Sequence, residues 1–112
     1  MSYTYIKTRE NGDATSNYEL AGKFPVKFID LFKWILANED SFNIKVCATN
    51  ECYGGWTGNR LEVKKDTTTG DCFWVNKDPE HWFEEIAQET VLSCHVNGGW
   101  GQTTYFCTFE ES

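Results

Sequence analysis

Residues 91–109 read VLSCHVNGGWGQTTYFCTF, two strand-like runs on either side of a glycine-rich turn. The runs at about 91–96 and 102–109 are rich in β-branched and aromatic residues, whereas Asn97-Gly98-Gly99-Trp100-Gly101 supplies residues typical of tight turns. The segment therefore predicts a β-hairpin with an indole at its tip. The same tripeptide occurs earlier as Gly54-Gly55-Trp56, between strand-like runs at 42–48 and 60–64.

Both Gly-Gly-Trp turns are candidate partner-binding features. An indole at a turn tip either folds back onto the neighbouring sheet or stays exposed. In the exposed state it is a strong anchor, because Trp is enriched among the residues that dominate binding energies. The sequence leaves both alternatives open for Trp56 and Trp100, and we name both as candidate anchors.

Two helices are predicted, at about 25–38 and 79–89. Pro25 suits a first helical turn, where its missing N–H would have no partner. Trp34 projects on the flank of the apolar face of the first helix and becomes a third candidate anchor. The buried stripe of that helix has helical spacing and comprises Phe28, Leu31, Phe32, Ile35 and Leu36.

The predicted elements follow the order ββαβββαββ, with further strands at about 3–8, 17–23 and 72–76. One-sided strands such as 42–48 match the one-sided helices. We therefore expect a single α+β domain over residues 1–112, in which an antiparallel β-sheet of about five to seven strands carries both helices on one face. A chain of 112 residues is long enough to bury a core without staples.

The charge distribution restricts the partners of this chain. Its formal net charge is −7, and from Trp34 onward thirteen acidic residues accompany five basic ones. Phosphate binding needs Lys and Arg to displace counterions, so we expect no direct nucleic acid binding. We also expect no association with anionic membranes. A charged partner should instead present a basic surface.

The second helix carries an acidic face without compensating bases. Like charges at four-residue spacing destabilise a helix, and a basic partner would relieve that repulsion. The alternative is a solvated surface, since acids near a helix N-terminus also suit its dipole. The acidic candidates for partner binding, including the C-terminal tail, are Asp78, Glu80, Glu84, Glu85, Glu89, Glu110 and Glu111.

The cysteines and histidines do not form a recognisable reactive site. Five cysteines without an export signal favour thiols in the reducing cytoplasm. Adjacent strand residues point to opposite faces, so His95 cannot serve Cys94 as a base, and Cys94 and Cys107 are expected in the core. The cysteine spacing matches no common zinc pattern, and no phosphate loop or dinucleotide fingerprint occurs. We expect no enzyme, no metal and no cofactor.

These observations favour a non-enzymatic protein-binding module, whose acidic surface and exposed aromatics engage a basic partner. In its sharpest form, the hypothesis is an inhibitor that mimics nucleic acid and occludes the binding site of a nucleic-acid-handling enzyme. Small acidic inhibitors of host defence enzymes from phages and mobile elements have this size and charge. The alternative is a small-ligand-binding or enzymatic domain with a pocket beside the Gly-rich turns.

Overall fold

A computed structural model of the chain describes residues 2–48, 60–66, 68–74, 84 and 86–110. No helix within these ranges is long and apolar enough to cross a membrane. The elements in chain order are β1 (Tyr3–Glu10), β2 (Ser16–Gly22), β3 (Val26–Lys27), α1 (Phe28–Asn38), β4 (Asn43–Ala48), β5 (Arg60–Lys65), β6 (Cys72–Trp74), β7 (Thr90–Gly99) and β8 (Gln102–Phe109).

The strands of the described ranges form one eight-stranded sheet with the order β1-β2-β7-β8-β4-β5-β6. The short strand β3 pairs with β7 at the end where β7 begins. The chain is thus a small single-domain α+β fold, as the sequence predicts. Among the described residues, the sheet has one strand more than the predicted five to seven. The additional strand, β3, has only two residues, which is too short to give a periodic signal in the sequence.

Strands β7 and β8 form the hairpin predicted from residues 91–109, and they occupy the middle of the sheet. Their register pairs Cys94 with Cys107, Val96 with Tyr105 and Gly99 with Gln102. Strand β2 continues the sheet beyond β7, and β4 continues it beyond β8. The hairpin therefore joins the N-terminal and central parts of the chain.

The pairing of β4 with β8 is parallel, whereas every other strand pair among the described residues is antiparallel. The prediction of a wholly antiparallel sheet is therefore wrong at this pair. The reason is that β4 enters the sheet beside the β7–β8 turn, where β8 also begins, so that Asn43 lies opposite Gln102.

The core lies between α1 and one face of the sheet. The predicted stripe of α1 is confirmed, since four of its five residues are buried and Leu36 is partly buried against them. Cys94 and Cys107 are fully buried, with 4.0 Å between their Sγ atoms, and His95 is exposed on the opposite face. The sheet contributes to this core Leu20, Ile44, Val46, Val63, Val91, Val96, Tyr105 and Phe109.

Helix α1 begins at Phe28, later than the predicted start at residue 25. The Phe24–Pro25 peptide bond is cis, and Val26–Lys27 belongs to β3. The apolar run before the helix is therefore used to pair with β7 rather than to start the helix.

The N-terminus of α1 is satisfied by backbone groups from a distant segment. The Phe28 N–H donates to the Glu89 carbonyl and the Ile29 N–H to the Ala87 carbonyl, both at 2.9 Å. The first N–H groups of a helix have no acceptor within that helix, and these bonds satisfy two of them. No side-chain cap is present at Lys27, because the 87–89 turn supplies the acceptors.

The predicted second helix, at 79–89, lies mostly outside the described residues. Glu84 and Ile86 are helical, and residues 87–89 form a turn and bend. Ile86 is buried in the same core as α1. The described residues therefore show one complete helix and establish neither the length nor the packing of a second.

The β7–β8 turn provides a test of backbone strain. Gly101 has a φ of +72°, and a Cβ there would lie 2.5 Å from Cε1 of Phe42. We expect Gly101→Ala to lower the free energy of unfolding by about 1–3 kcal/mol, measured by urea denaturation. Gly12→Ala is the control, because a Cβ there meets nothing within 4 Å, and its effect should stay within about 0.5 kcal/mol. Equal effects of the two substitutions would contradict the role of Gly101.

Candidate functional site

Three connections meet at one end of the sheet, and we call residues 11–15, 39–42 and 98–101 the loop surface. The Trp100 Nε1 donates to the Asp13 carbonyl at 2.8 Å, which joins the β7–β8 turn to the β1–β2 turn. The Asn43 N–H donates to the Gly101 carbonyl at 3.3 Å, which joins the same turn to the α1–β4 loop. Segments far apart in sequence are thereby held as one surface.

Trp100 is the most exposed large apolar residue of the described ranges, with 77% of its surface accessible. Its indole crosses to the β1–β2 turn instead of folding back onto the sheet. Gly99 permits this approach, because a Cβ there would lie 2.9 Å from Cγ2 of Thr15 and 3.0 Å from the Ala14 carbonyl oxygen. Of the two alternatives for the indole, the structure shows the exposed one.

Phe42 adds a second aromatic ring to the loop surface. Its residue surface is 53% exposed, and its ring lies against the Cα of Gly101, where a Cβ would collide with it. Phe42 and Trp100 therefore lie on neighbouring turns at the same end of the sheet.

A cavity of about 540 Å³ opens on the loop surface, and we call it the loop cavity. Two of its described lining residues, Glu39 and Asp40, are acidic and none is basic. It borders the second Gly-Gly-Trp turn, whereas the first lies outside the described residues. Its described lining is Tyr5, Ala14, Ser16, Tyr18, Asn38, Glu39, Asp40, Val96, Gly98, Gly99 and Thr103.

The carboxylate of Glu39 is held on both of its oxygens. Oε1 accepts from the Ser41 N–H at 3.1 Å and from the Thr103 hydroxyl at 3.2 Å. Oε2 accepts from the Tyr105 hydroxyl. The Ser41 hydroxyl lies 2.6 Å from that of Thr103 and donates to it, because the Thr103 proton is directed to Glu39. These bonds fix the carboxylate in one orientation at the cavity wall.

The hydroxyl of Tyr105 continues the hydrogen-bonded chain to Tyr5. Burial raises the pKa of Tyr105, and the bond to Glu39 raises it further, so its hydroxyl stays protonated. Its proton points to Glu39, so the Tyr5 hydroxyl, 2.6 Å away, donates to Tyr105. Burial is also the main cause that raises the pKa of Tyr5, to about 12.

Two tyrosine rings form the aromatic part of the cavity wall. The rings of Tyr5 and Tyr18 have centroids 6.0 Å apart and planes inclined at 80°. This edge-to-face arrangement is favourable, because the electropositive edge of one ring meets the electronegative face of the other.

Lys65 supports the C-terminal end of α1, from which Glu39 extends. Its Nζ donates to the Leu36 carbonyl at 2.8 Å and to the Glu39 carbonyl at 2.7 Å. The last turn of α1 contains no basic residue of its own. The ammonium group from β5 therefore balances the negative end of the helix dipole and positions Glu39.

The candidate anchor Trp34 packs against the core and is only partly accessible. It is half-buried, with ring centroids 5.0 Å from Tyr3 and 6.0 Å from Tyr5. The position on the flank of α1 is as predicted, but the sheet extends past the helix, so that rings from edge strand β1 cover that flank. Trp34 therefore contacts Tyr5, which lines the loop cavity.

The structure separates two of the described acidic candidates, Glu89 and Glu110, from Trp100. Glu89 precedes β7, and the Glu110 N–H donates to the Thr90 carbonyl at 2.8 Å, so both lie where the hairpin is open. Trp100 lies at the closed end, about 30 Å away at the usual rise of a strand. Glu84, Glu89 and Glu110 are exposed. Five further candidates, Trp56, Asp78, Glu80, Glu85 and Glu111, lie outside the described residues.

Apart from Gly98 and Gly99 of the second Gly-Gly-Trp turn, the sequence analysis identified none of the residues that line the loop cavity, and it did not identify Tyr105, which donates to Glu39. One signal was available for Tyr105, because it alternates with Thr103 and Cys107 on the buried face of β8. A buried tyrosine hydroxyl usually has a hydrogen-bond partner, so the pattern indicates a polar group inside the fold. No sequence signal identifies Glu39 as that partner.

The described part of the chain offers no metal site, since no three of its His, Cys, Asp and Glu residues come close enough to hold an ion. No protein-family model, curated protein or solved structure matches this chain. The fixed carboxylate, the aromatic wall and the absence of Lys and Arg among the described lining residues suit the loop cavity to binding a cation.

The support of α1 by Lys65 can be tested by removing its charge. We expect Lys65→Met to lower the free energy of unfolding by about 1–2 kcal/mol, because two carbonyls lose a charged donor. Lys64→Met is the matched control, since the neighbouring Lys64 is exposed. Chemical denaturation of both variants measures the difference. A loss as large for Lys64→Met would show that net charge, rather than the two hydrogen bonds, is responsible.

The pKa of Tyr5 predicts how stability changes with pH. The folded-state pKa, about 12, lies above the ordinary value of about 10. The folded state therefore binds the Tyr5 proton more tightly than the unfolded state does. The contribution of this difference to the free energy of unfolding is complete below about pH 10 and is lost as pH rises through about 12. The difference in absorbance at 295 nm between wild type and Tyr5→Phe should have its midpoint near pH 12, with circular dichroism confirming the fold. A midpoint near the ordinary value would contradict the assignment.

Proposed function

We propose that this chain is a non-enzymatic protein-binding module that engages a basic partner through the loop surface. One observation supports it above all: Trp100 is 77% exposed, yet its indole is fixed by the bond to Asp13. Beside it lies a cavity with two carboxylates and no base among its described lining residues. An exposed Trp already held in one orientation loses little conformational freedom on binding.

The exposed apolar residues are concentrated at this surface. Five large apolar residues are exposed among the described ones, namely Tyr5, Ile6, Phe42, Leu92 and Trp100. Phe42 and Trp100 belong to the loop surface and Tyr5 lines its cavity. Aromatic residues clustered near the centre of a contact area are typical of binding hot spots.

The charge of the loop surface indicates the sign of the partner. Residues 11–15, 39–42 and 98–101 contain Asp13, Glu39 and Asp40 and neither Lys nor Arg. The net charge of the whole chain, −7, has the same sign. Such a surface repels phosphate backbones and accelerates encounter with a basic protein.

The sharper form of the proposal is that the partner is a nucleic-acid-handling enzyme whose binding site the chain occludes. A basic groove built for phosphates is complementary to the loop surface and to the exposed Glu84, Glu89 and Glu110. A standard interface covers only about 800 Å² on each side. Glu89 and Glu110 lie about 30 Å from Trp100, so we place the centre of the interface at the loop surface. The four described cysteines form no disulfide, which suits the reducing cytoplasm where such enzymes act.

Small-ligand binding is the second candidate function. The loop cavity, about 540 Å³, falls within the range of roughly 300–1,000 Å³ typical of ligand sites. It is lined by Gly98 and Gly99 of the second Gly-Gly-Trp turn. Native mass spectrometry of the gently purified chain distinguishes the two functions, because a retained ligand adds a defined mass.

The contribution of Trp100 can be measured by affinity capture. A tagged wild-type chain should retain a basic protein from an extract of the organism that carries the gene, and salt should weaken the retention. Trp100→Ala should reduce the amount retained about tenfold or more, because loss of a hot-spot residue typically costs at least about 2 kcal/mol.

The matched control is Leu92→Ala. Leu92 is also exposed, at 45%, and lies near the opposite end of β7. The Leu92→Ala variant should retain as much of the partner as the wild type does. Equal capture by Trp100→Ala and the wild type would rule out the loop surface as the binding site.

A further inference from the structure

We infer that the loop cavity receives an arginine side chain of the basic partner. This inference rests on the proposed function and names the group that the cavity recognises. The cavity is a groove open to solvent beside Trp100, and its described lining combines two carboxylates with two tyrosine rings. A cation that also stacks on aromatic rings is the ligand with matching chemistry.

The two carboxylates play different parts. That of Glu39 is fixed by Ser41, Thr103 and Tyr105. All three donors are neutral groups. That of Asp40 is exposed and has no hydrogen bond or ion pair with any described residue. One carboxylate is therefore preorganised, and the other is free to turn toward an incoming cation.

The aromatic wall favours arginine over lysine. Tyr5 and Tyr18 both line the cavity, and their rings stand nearly perpendicular with 6.0 Å between centroids. A guanidinium stacks on aromatic rings and donates through a planar fork to carboxylates. An ammonium group is more strongly hydrated and gains less from an open groove.

The size of the cavity indicates a side chain that arrives with its peptide backbone. Its volume, about 540 Å³, exceeds what one guanidinium fills. Gly98 and Gly99 form the part of the cavity wall that adjoins Trp100. Trp100 lies next in sequence, where it would cover the residues that flank the arginine.

The test uses the ¹⁵N-labelled full chain and the peptide Ac-Gly-Arg-Gly-NH₂. Saturable chemical-shift changes should map to the amides of Tyr18, Gly98, Gly99 and Thr103. The same peptide with citrulline, the neutral isostere of arginine, should bind about tenfold more weakly, because it loses the charge-assisted hydrogen bonds and the cation–π contact. Equal affinity for both peptides, or shifts that map elsewhere, would overturn the inference.

Two protein variants test the role of charge. Asp40→Asn should weaken the arginine peptide about threefold to tenfold. Glu19→Gln is the control, since Glu19 is exposed on the opposite face of the sheet and its substitution removes one charge as well. It should change the affinity less than about twofold. Equal losses in the two variants would mean that only overall charge matters, which also overturns the inference.

A third probe separates a protein partner from a small metabolite. Butylguanidine carries the same guanidinium and the same single charge on a free small molecule, and it should bind more weakly than the peptide. Tighter binding of butylguanidine would overturn the inference in favour of a small-ligand site. These titrations need no partner, so their failure leaves the Trp100-dependent capture intact, whereas failure of that capture would overturn the proposed function itself.

Discussion

The hydrogen bond from Tyr105 to Glu39 is the interaction on which the functional end of the molecule depends. Tyr105 is fully buried on a central strand, so its hydroxyl must be paired inside the fold. A buried hydroxyl without a partner costs about 1–3 kcal/mol. Glu39 satisfies this requirement, and in doing so it fixes the end of α1 against the middle of the sheet.

Several other features follow from that attachment. The helix must end where Glu39 can reach Tyr105, and Lys65 then stabilises the carbonyls exposed at that end. The chain continues through Asp40 to Phe42 and enters β4 beside the β7–β8 turn. That position imposes the parallel pairing of β4 with β8 and leaves the loop cavity between the helix end, β1, β2 and the turn.

The sequence predicts those parts of the structure that depend on periodicity and local turn chemistry. The hairpin at 91–109, the apolar stripe of α1 and the opposite orientations of Cys94 and His95 are confirmed. The predicted start of α1 was wrong, because Val26–Lys27 pairs with β7. This pairing joins segments far apart in sequence, so no local pattern predicts it. The partial burial of Trp34 likewise depends on a long-range contact, because rings of β1 cover that flank of α1.

The candidate site was harder to predict than the fold. Trp100 was identified, because a Trp in a glycine-rich turn stands out in any sequence. The cavity residues Tyr5, Tyr18, Glu39 and Asp40 were not, since they come from three elements and each is ordinary in its own context. Only the strand order β1-β2-β7-β8-β4 brings them together.

The bond between Trp100 and Asp13 joins residues separated by 87 positions, and that between Thr103 and Glu39 spans 64. No short segment of the chain therefore carries the loop surface, and a peptide copied from any one turn lacks its neighbours. A partner that recognises this surface binds only the folded chain. Binding and folding are then linked by mass action, so that occupancy of the surface protects the whole domain against unfolding and proteolysis.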